Sequence, residues 1–143
     1  MPGLTDGDGV LDPDGAMEYL GRWKADIERR AADTQAASDR LARLRVGGRD
    51  GNDLVEVTID STGVLVDLRF TTRIQRVEPD AVARAVLTAV GNARRQAAER
   101  SREIIVETMG PDSVAGQAIA DRVERQLREP GPDDDAWRQG THG

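Results

Sequence analysis

Between Val55 and Phe70 the chain reads VEVTIDSTGVLVDLRF, an alternation of apolar and polar residues interrupted once by Ser61-Thr62-Gly63. A period of two sends successive side chains to opposite faces of a strand. Val55, Val57 and Ile59 therefore share one face, and Glu56, Thr58 and Asp60 share the other. Val64, Val66, Leu68 and Phe70 form the apolar row of the returning strand, with Asp67 and Arg69 outward. The break is too short for a crossover, so the strands are antiparallel neighbours, and Gly63 can take the positive φ of a tight turn. A weaker third strand is expected over residues 72–77.

So small a sheet sits near the lower limit of independent stability and needs cover. The sequence on either side supplies it as helix. From about Gly15 to Arg45, residues Met17, Leu20, Ile27, Ala31, Thr34 and Leu41 recur at steps of three and four, with Lys24 and Ser38 in the gaps. That is a narrow stripe of the kind found at a helix–helix seam. Asp14 is placed to cap this helix, and Gly47-Gly48-Arg49-Asp50-Gly51-Asn52 reads as the linker that ends it. A second helix runs from Pro79, a residue suited to a first helical turn, to Thr108. Its apolar face is Val82, Val86, Val90, Ala93, Ala97 and Ile104, and Gly110-Pro111 stops it. A third helix is expected over 113–128, with Ile119, Val123 and Leu127 on one side.

The expected fold class is α+β: long helix, three-stranded antiparallel β-sheet, long helix, then a short C-terminal helix. Residues 1–14 and 130–143 are expected to be disordered tails, 15–110 the folded domain, and 111–129 the C-terminal helical segment. One sheet and a seam-bearing helix leave more apolar face than one copy can cover, so a homodimer is expected. Its interface would use Val55, Val57, Ile59, Val64, Val66, Leu68 and Phe70.

Catalysis finds few footholds. The chain has no Cys, and its single His is His142, one residue from the end, so no nucleophile has a base in the folded part. No Gly-rich loop followed by Lys and Ser/Thr is present to cradle phosphates. The N-terminal Asp/Gly run fails as a calcium loop, because Val10 and Gly21 would occupy its first and twelfth ligand positions. No enzyme, metal or cofactor is expected. No apolar run approaches about 18 residues, so no membrane span is expected. The start lacks a basic stretch followed by an apolar one, which reads as cytoplasmic.

Charge is unevenly spread. The formal net charge is −6, yet residues 15–49 hold eight bases against five acids, between acidic ends. The candidate phosphate contacts are Arg22, Lys24, Arg29, Arg30, Arg40, Arg43 and Arg45 around the first helix, with Arg94 and Arg95 on the second. Arg offers planar, multi-donor contact to phosphate, and phosphate contact alone gives little sequence preference. From charge alone, the first reading is a set of solvated helix faces paired with Asp26, Glu28, Asp33, Asp39, Glu99 and Glu103.

The middle of the chain shifts that balance. Val55-Glu56-Val57-Thr58-Ile59, Gly63 at the turn, Val64-Leu65-Val66-Asp67-Leu68 and Gly91-Asn92-Ala93 lie in a stretch, residues 53–108, that resembles the YbaB/EbfC family of bacterial nucleoid-associated proteins. Gly91 departs from the family's usual residue. The resemblance implies a homodimer whose paired helices project like tweezers, binding double-stranded DNA non-specifically or with weak preference in the nucleoid. Actinobacterial relatives associated with type VII secretion have protein partners, which makes an adaptor or chaperone on the same fold the second reading.

Overall fold

The computed structural model describes residues 13–128. The two expected tails fall largely outside that range, as does His142. The elements in chain order are α1 (Pro13–Arg43), β1 (Arg45–Arg49), β2 (Val55–Asp60), β3 (Leu65–Phe70), a 3-10 turn (Thr72–Arg76), α2 (Pro79–Met109) and α3 (Val114–Arg128). The sheet is antiparallel in the order β1-β2-β3. The α+β class, a three-stranded antiparallel sheet between two long helices and the C-terminal helix are as expected.

Two assignments are corrected. The segment expected to be a linker contains β1, which pairs along its length with β2, from Arg45 opposite Asp60 to Arg49 opposite Glu56. The expected strand over 72–77 is instead the 3-10 turn, begun by Thr71, whose Oγ1 accepts the Arg73 N–H. Asp14, expected as a cap, lies inside the first turn of α1, where its charge favours the helix dipole.

Gly48 explains why a strand reads as a linker. Val46 and Gly48 face α2 and are buried. A Cβ on Gly48 would lie 2.4 Å from the Ala89 carbonyl oxygen and 2.6 Å from the Ala93 nitrogen. The strand needs glycine there because the helix backbone rests on it. On α2 the matching feature is a row of small residues four apart, Ala85, Ala89, Ala93, Ala97 and Ser101, all buried. The expected valine row Val82, Val86 and Val90 flanks that line and is only partly buried. Val57 and Ile59 are 0% exposed beneath α2, each worth roughly 1.5–3 kcal/mol of burial.

The loops are held by carboxylates. Asp50 Oδ1 accepts the buried N–H groups of Leu54 and Val55, both at 2.8 Å, and Oδ2 accepts that of Asn52 at 3.1 Å. Burial pushes the Asp50 carboxyl up, but the N–H groups of Val55, Leu54 and Asn52 together outweigh it and hold it below its ordinary value. Thr71 Oγ1 donates to the Asp53 carbonyl at 2.7 Å and ties this loop to the end of β3. At the other hairpin, Asp60 accepts from the Thr62 hydroxyl and the N–H groups of Thr62 and Val64, while Gly63 takes φ 87°.

β3 carries a bulge. Thr58 pairs with Asp67 and Ile59 with Leu65, so Val66 is the extra residue. Opposed residues share a face, so Leu65, Leu68 and Phe70 lie on the α2 side with Ile59, Val57 and Val55. The expected row had Val64 and Val66 in place of Leu65, because an unbroken alternation cannot register the bulge. Every residue of β3 is exposed, Leu68 at 38% and Phe70 at 46%. α2 covers β1 and β2 and stops short of the third strand.

α1 runs about 46 Å at 1.5 Å per residue, and only Ala37 on it is buried. Its last turns meet the distal half of α2, where Arg40 pairs with Glu107 at 2.7 Å. Met17, Tyr19, Leu20, Trp23 and Ile27 are exposed. α2 ends at Gly110, φ 91°, whose N–H bonds the Val106 carbonyl. α3 then packs on α2 through Gly116, Ala120 and Leu127, and Leu127 joins the core beneath the β2–β3 turn.

Gly48→Ala should destabilise the fold by about 1–3 kcal/mol or more through overpacking. Gly47→Ala, whose added methyl meets only the Val57 oxygen at 3.7 Å, should stay within about 0.5 kcal/mol; paired urea titrations check both.

Asp50→Ala leaves two buried N–H groups without an acceptor and should cost about 1–3 kcal/mol at pH 7. The folded Asp50 pKa is depressed, so its stabilisation is complete above the unfolded value of about 3.9 and is lost as pH falls through the lower folded value. The stability gap between wild type and Asp50→Asn should therefore narrow below about pH 4, as denaturation series at pH 7 and pH 3 would record.

Candidate nucleic-acid interface

The basic residues divide by what they already touch. Arg40 is bound to Glu107, and the Arg40 guanidinium holds that carboxyl below its ordinary value, helped by the charge of Arg100. Arg40 is therefore a clamp between α1 and α2. Arg45 Nη1 donates to the Leu44 carbonyl at 2.8 Å and the Ala42 carbonyl at 3.4 Å, closing the C-terminal end of α1. Arg100 pairs with Glu103 and Glu107, and Arg102 with Glu124 and Asp121. Glu124, through its hydrogen bond, raises the Arg102 pKa most.

Arg29 and Arg30 both reach Asp26 at 3.6 Å, with side chains 70% and 80% exposed. Pairs so exposed contribute about 0–1 kcal/mol and are readily exchanged for a stronger anion. Arg22, Lys24 and Arg43 are exposed and form no ion pair with a described residue. Arg22 and Arg29, seven residues apart, share one side of α1, whereas Lys24 lies on another, so the bases of α1 do not form a single stripe.

On α2, Arg95 donates to the Asn92 side-chain oxygen, and Asn92 in turn donates to the Arg49 carbonyl at 2.6 Å. The Arg95 guanidinium is thus tied through Asn92 to the edge strand, although the residue stays exposed. Arg94 is half-buried beside the hairpin turn at Gly63, and its Nε is buried with no acceptor among the described residues.

The outer face of the sheet is charge-balanced: Arg49 pairs with Glu56 at 3.1 Å and Arg69 with Asp67 at 2.9 Å. Residues 1–12 and 129–143 each carry a net −3, so the described residues, with nineteen bases and nineteen acids, are formally neutral. Attraction to a polyanion then depends on local arginine placement and not on overall charge. Arg84, Arg122 and Arg125 are also exposed without ion pairs among the described residues, and the sequence reading did not single them out. For Arg122 a signal existed, since no acid stands three or four positions away.

The expected dimer residues separate too. Val55, Val57 and Ile59 are buried against α2 within one chain and present no surface to a second copy. Val64, Val66, Leu68 and Phe70 are exposed, joined by Leu65. Among the described residues no group of His, Cys, Asp or Glu could hold a metal ion, and no helix is long and apolar enough to cross a membrane.

Arg40→Ala should lower stability by less than about 1 kcal/mol and leave the salt dependence of DNA binding unchanged. Arg43→Ala should do the reverse, as thermal melts and a salt-titrated gel shift on the same two variants would reveal.

No curated protein matches the sequence. Residues 17–111, well over half of the sequence, match the YbaB/EbfC DNA-binding family, and the chain belongs to that non-enzymatic family.

Proposed function

We propose that the protein is a nucleoid-associated, cytoplasmic DNA-binding homodimer that grips duplex phosphates without reading bases. The observation that carries this reading is that Arg22, Lys24 and Arg43 are exposed without an ion pair to a described residue, and Arg29 and Arg30 are held only by exposed contacts to Asp26, in a chain of a DNA-binding family. Arg22, Lys24, Arg29, Arg30, Arg43, Arg94 and Arg95 are the contacts; Arg40 and Arg45 hold the helix that presents them. Each phosphate neutralised releases counterions, so binding weakens steeply with salt. Tyr19 and Trp23 stand beside Arg22 and Lys24, but no aromatic residue accompanies the other bases on α1 and α2, which favours backbone contact over base stacking.

Dimerisation rests on β3. Its exposed row Leu65, Leu68 and Phe70 lies on the same side of the sheet as the core, beyond the reach of its own α2. An open apolar edge strand is a liability that a second copy removes. Two copies double the number of arginines facing one duplex.

A second reading, a protein-binding adaptor, is favoured by Tyr19 and Trp23 on the projecting part of α1, Trp23 being 57% exposed. Aromatic residues on an exposed helix are typical anchors for a protein partner.

Sedimentation and anisotropy with a random-sequence duplex test the proposal together. Wild type should sediment as a dimer and lose affinity with a log–log salt slope of about −0.9 per phosphate. Leu68→Asp/Phe70→Asp, if it melts as wild type does, should sediment as a monomer with a shallower slope. A wild type that binds no DNA at low salt, even after removal of residues 1–12 and 129–143, would sink the DNA reading in favour of the adaptor.

A further inference from the structure

α3 lies beyond residues 17–111, so its role does not follow from the family match. Its chemistry is lopsided. The two acids of α3, Asp121 and Glu124, both turn toward Arg102 of α2, at 3.5 Å and 2.7 Å, and Glu124 also takes Arg128 at 2.7 Å. Gly116, Ala120 and Leu127 are buried against α2. The joint between the helices thus engages both acids of α3 with Arg102 and buries Gly116, Ala120 and Leu127, while the Asp121 side chain stays 66% exposed. Arg122 and Arg125 are also exposed, form no ion pair with a described residue, and stand three positions apart as neighbours on the helix surface. Arg125 near the C-terminal end also suits the helix dipole, but Arg122 stands more than a turn from that end, beyond the range of the effect.

This face runs into the arginines of α2. Between the helices lies a cleft of about 420 Å³ lined by Arg94, Arg95, Arg102 and Arg128, with Glu99 and Glu124. Glu124 is committed to Arg102 and Arg128, which leaves Arg94 and Arg95 against Glu99. The buried Nε of Arg94 has no acceptor among the described residues. That atom is buried beside the Gly63 turn and is not itself a ligand contact, but the side chains of Arg94 and Arg95 line the cleft, and a phosphate oxygen is the strongest acceptor for a guanidinium.

We propose that α3 is a second DNA-contacting element: Arg122 and Arg125 bind phosphates of the duplex backbone, and the α2–α3 cleft takes a further phosphate between Arg94 and Arg95. The inference rests on the DNA-binding function proposed above. It extends the contact surface by a helix whose acids are engaged by Arg102 and Arg128 and whose Arg122 and Arg125 have no ion pair with a described residue. Contact through arginine alone carries no base recognition, so the added affinity is independent of sequence.

The test compares four full-length proteins on two unrelated 30-base-pair duplexes across a salt series: wild type, Arg122→Ala/Arg125→Ala, Arg76→Ala/Arg84→Ala and Ala118→Arg. Ala118 is exposed one turn before Arg122. The Arg122/Arg125 variant should lose about 0.9 of log–log salt slope for each contact removed, equally on both duplexes. Ala118→Arg should steepen the slope. Arg76→Ala/Arg84→Ala makes the same change in net charge at positions outside α3 and the cleft, and should lose less. An unchanged slope in the Arg122/Arg125 variant, while wild type binds, overturns the role of α3 and leaves the general function standing. An equal loss in the Arg76/Arg84 variant shows net charge alone at work and also overturns it. Loss of folding in the Arg122/Arg125 variant would mean that these side chains hold α3 in place, and that too overturns it. A wild type that binds neither duplex overturns the general function and this inference with it.

Discussion

The contact between Gly48 and the backbone of α2 at Ala89 and Ala93 sets the geometry of everything else. An α-helix can lie this close to a strand only if both surfaces are stripped of side chains, and the chain does so with glycine on one side and a four-residue alanine repeat on the other. The close approach brings Asn92 within reach of the Arg49 carbonyl, which fixes the rotation of α2 about its axis. That rotation decides which way Arg94 and Arg95 point. It also centres the helix over β1 and β2, so β3 is left uncovered. The uncovered strand and the presented arginines are two results of one packing decision.

The fold was legible where a single period governed the sequence. β2 alternates without exception, and both its boundaries and its buried face could be read directly. The start and stop of α2 were visible in Pro79 and Gly110. β1 was hidden because Arg-Val-Gly-Gly-Arg has one apolar side chain, and its strand character comes from pairing with β2 and from a helix that will tolerate no Cβ at Gly48. The face of α2 was read correctly at Ala93, Ala97 and Ile104 and misplaced in its first half, at Val82, Val86 and Val90, for the same reason. Valines outrank alanines in any hydrophobicity count, yet the helix packs along its alanines, since close approach excludes larger groups. The run Val64-Leu65-Val66 breaks the alternation at the bulge, but three apolar residues in succession do not reveal which of them is the extra one.

The candidate interface was legible at the level of residue type and not at the level of availability. Sequence pointed to arginine as the chemistry and to α1 and α2 as its carriers. It could not tell Arg40 from Arg43, three positions apart, because the partner of Arg40 is Glu107, which lies on another helix. Nor could it show that Arg102 is taken by Asp121 and Glu124, nineteen and twenty-two positions on. Local pairing rules suggested partners such as Asp26 for Arg29 and Arg30, and those contacts form, but they are the exposed and weak ones. The ion pairs that join elements are made across elements, where no sequence spacing announces them.

Formal neutrality of residues 13–128 has a consequence for how such a protein meets DNA. A neutral body flanked by acidic segments receives little long-range attraction, because beyond about 10 Å at ordinary salt only net charge is felt and screening removes most of that. Binding must then come from short-range contacts that are individually weak, and weak contacts act together only when several are held in fixed relation. The fold supplies such relation within a chain by anchoring α2 to the sheet through Asn92 and by locking α1 to α2 through Arg40 and Glu107. Between two chains, in the dimer proposed above, the same service would fall to β3. A monomer could touch a duplex with a handful of arginines, each exchanging freely with salt. Two copies joined across that strand present the set twice, so the second set binds at an effective concentration fixed by the dimer. The apolar row Leu65, Leu68 and Phe70 of β3 is, on this account, the feature that makes a body without net charge adhere to a polyanion.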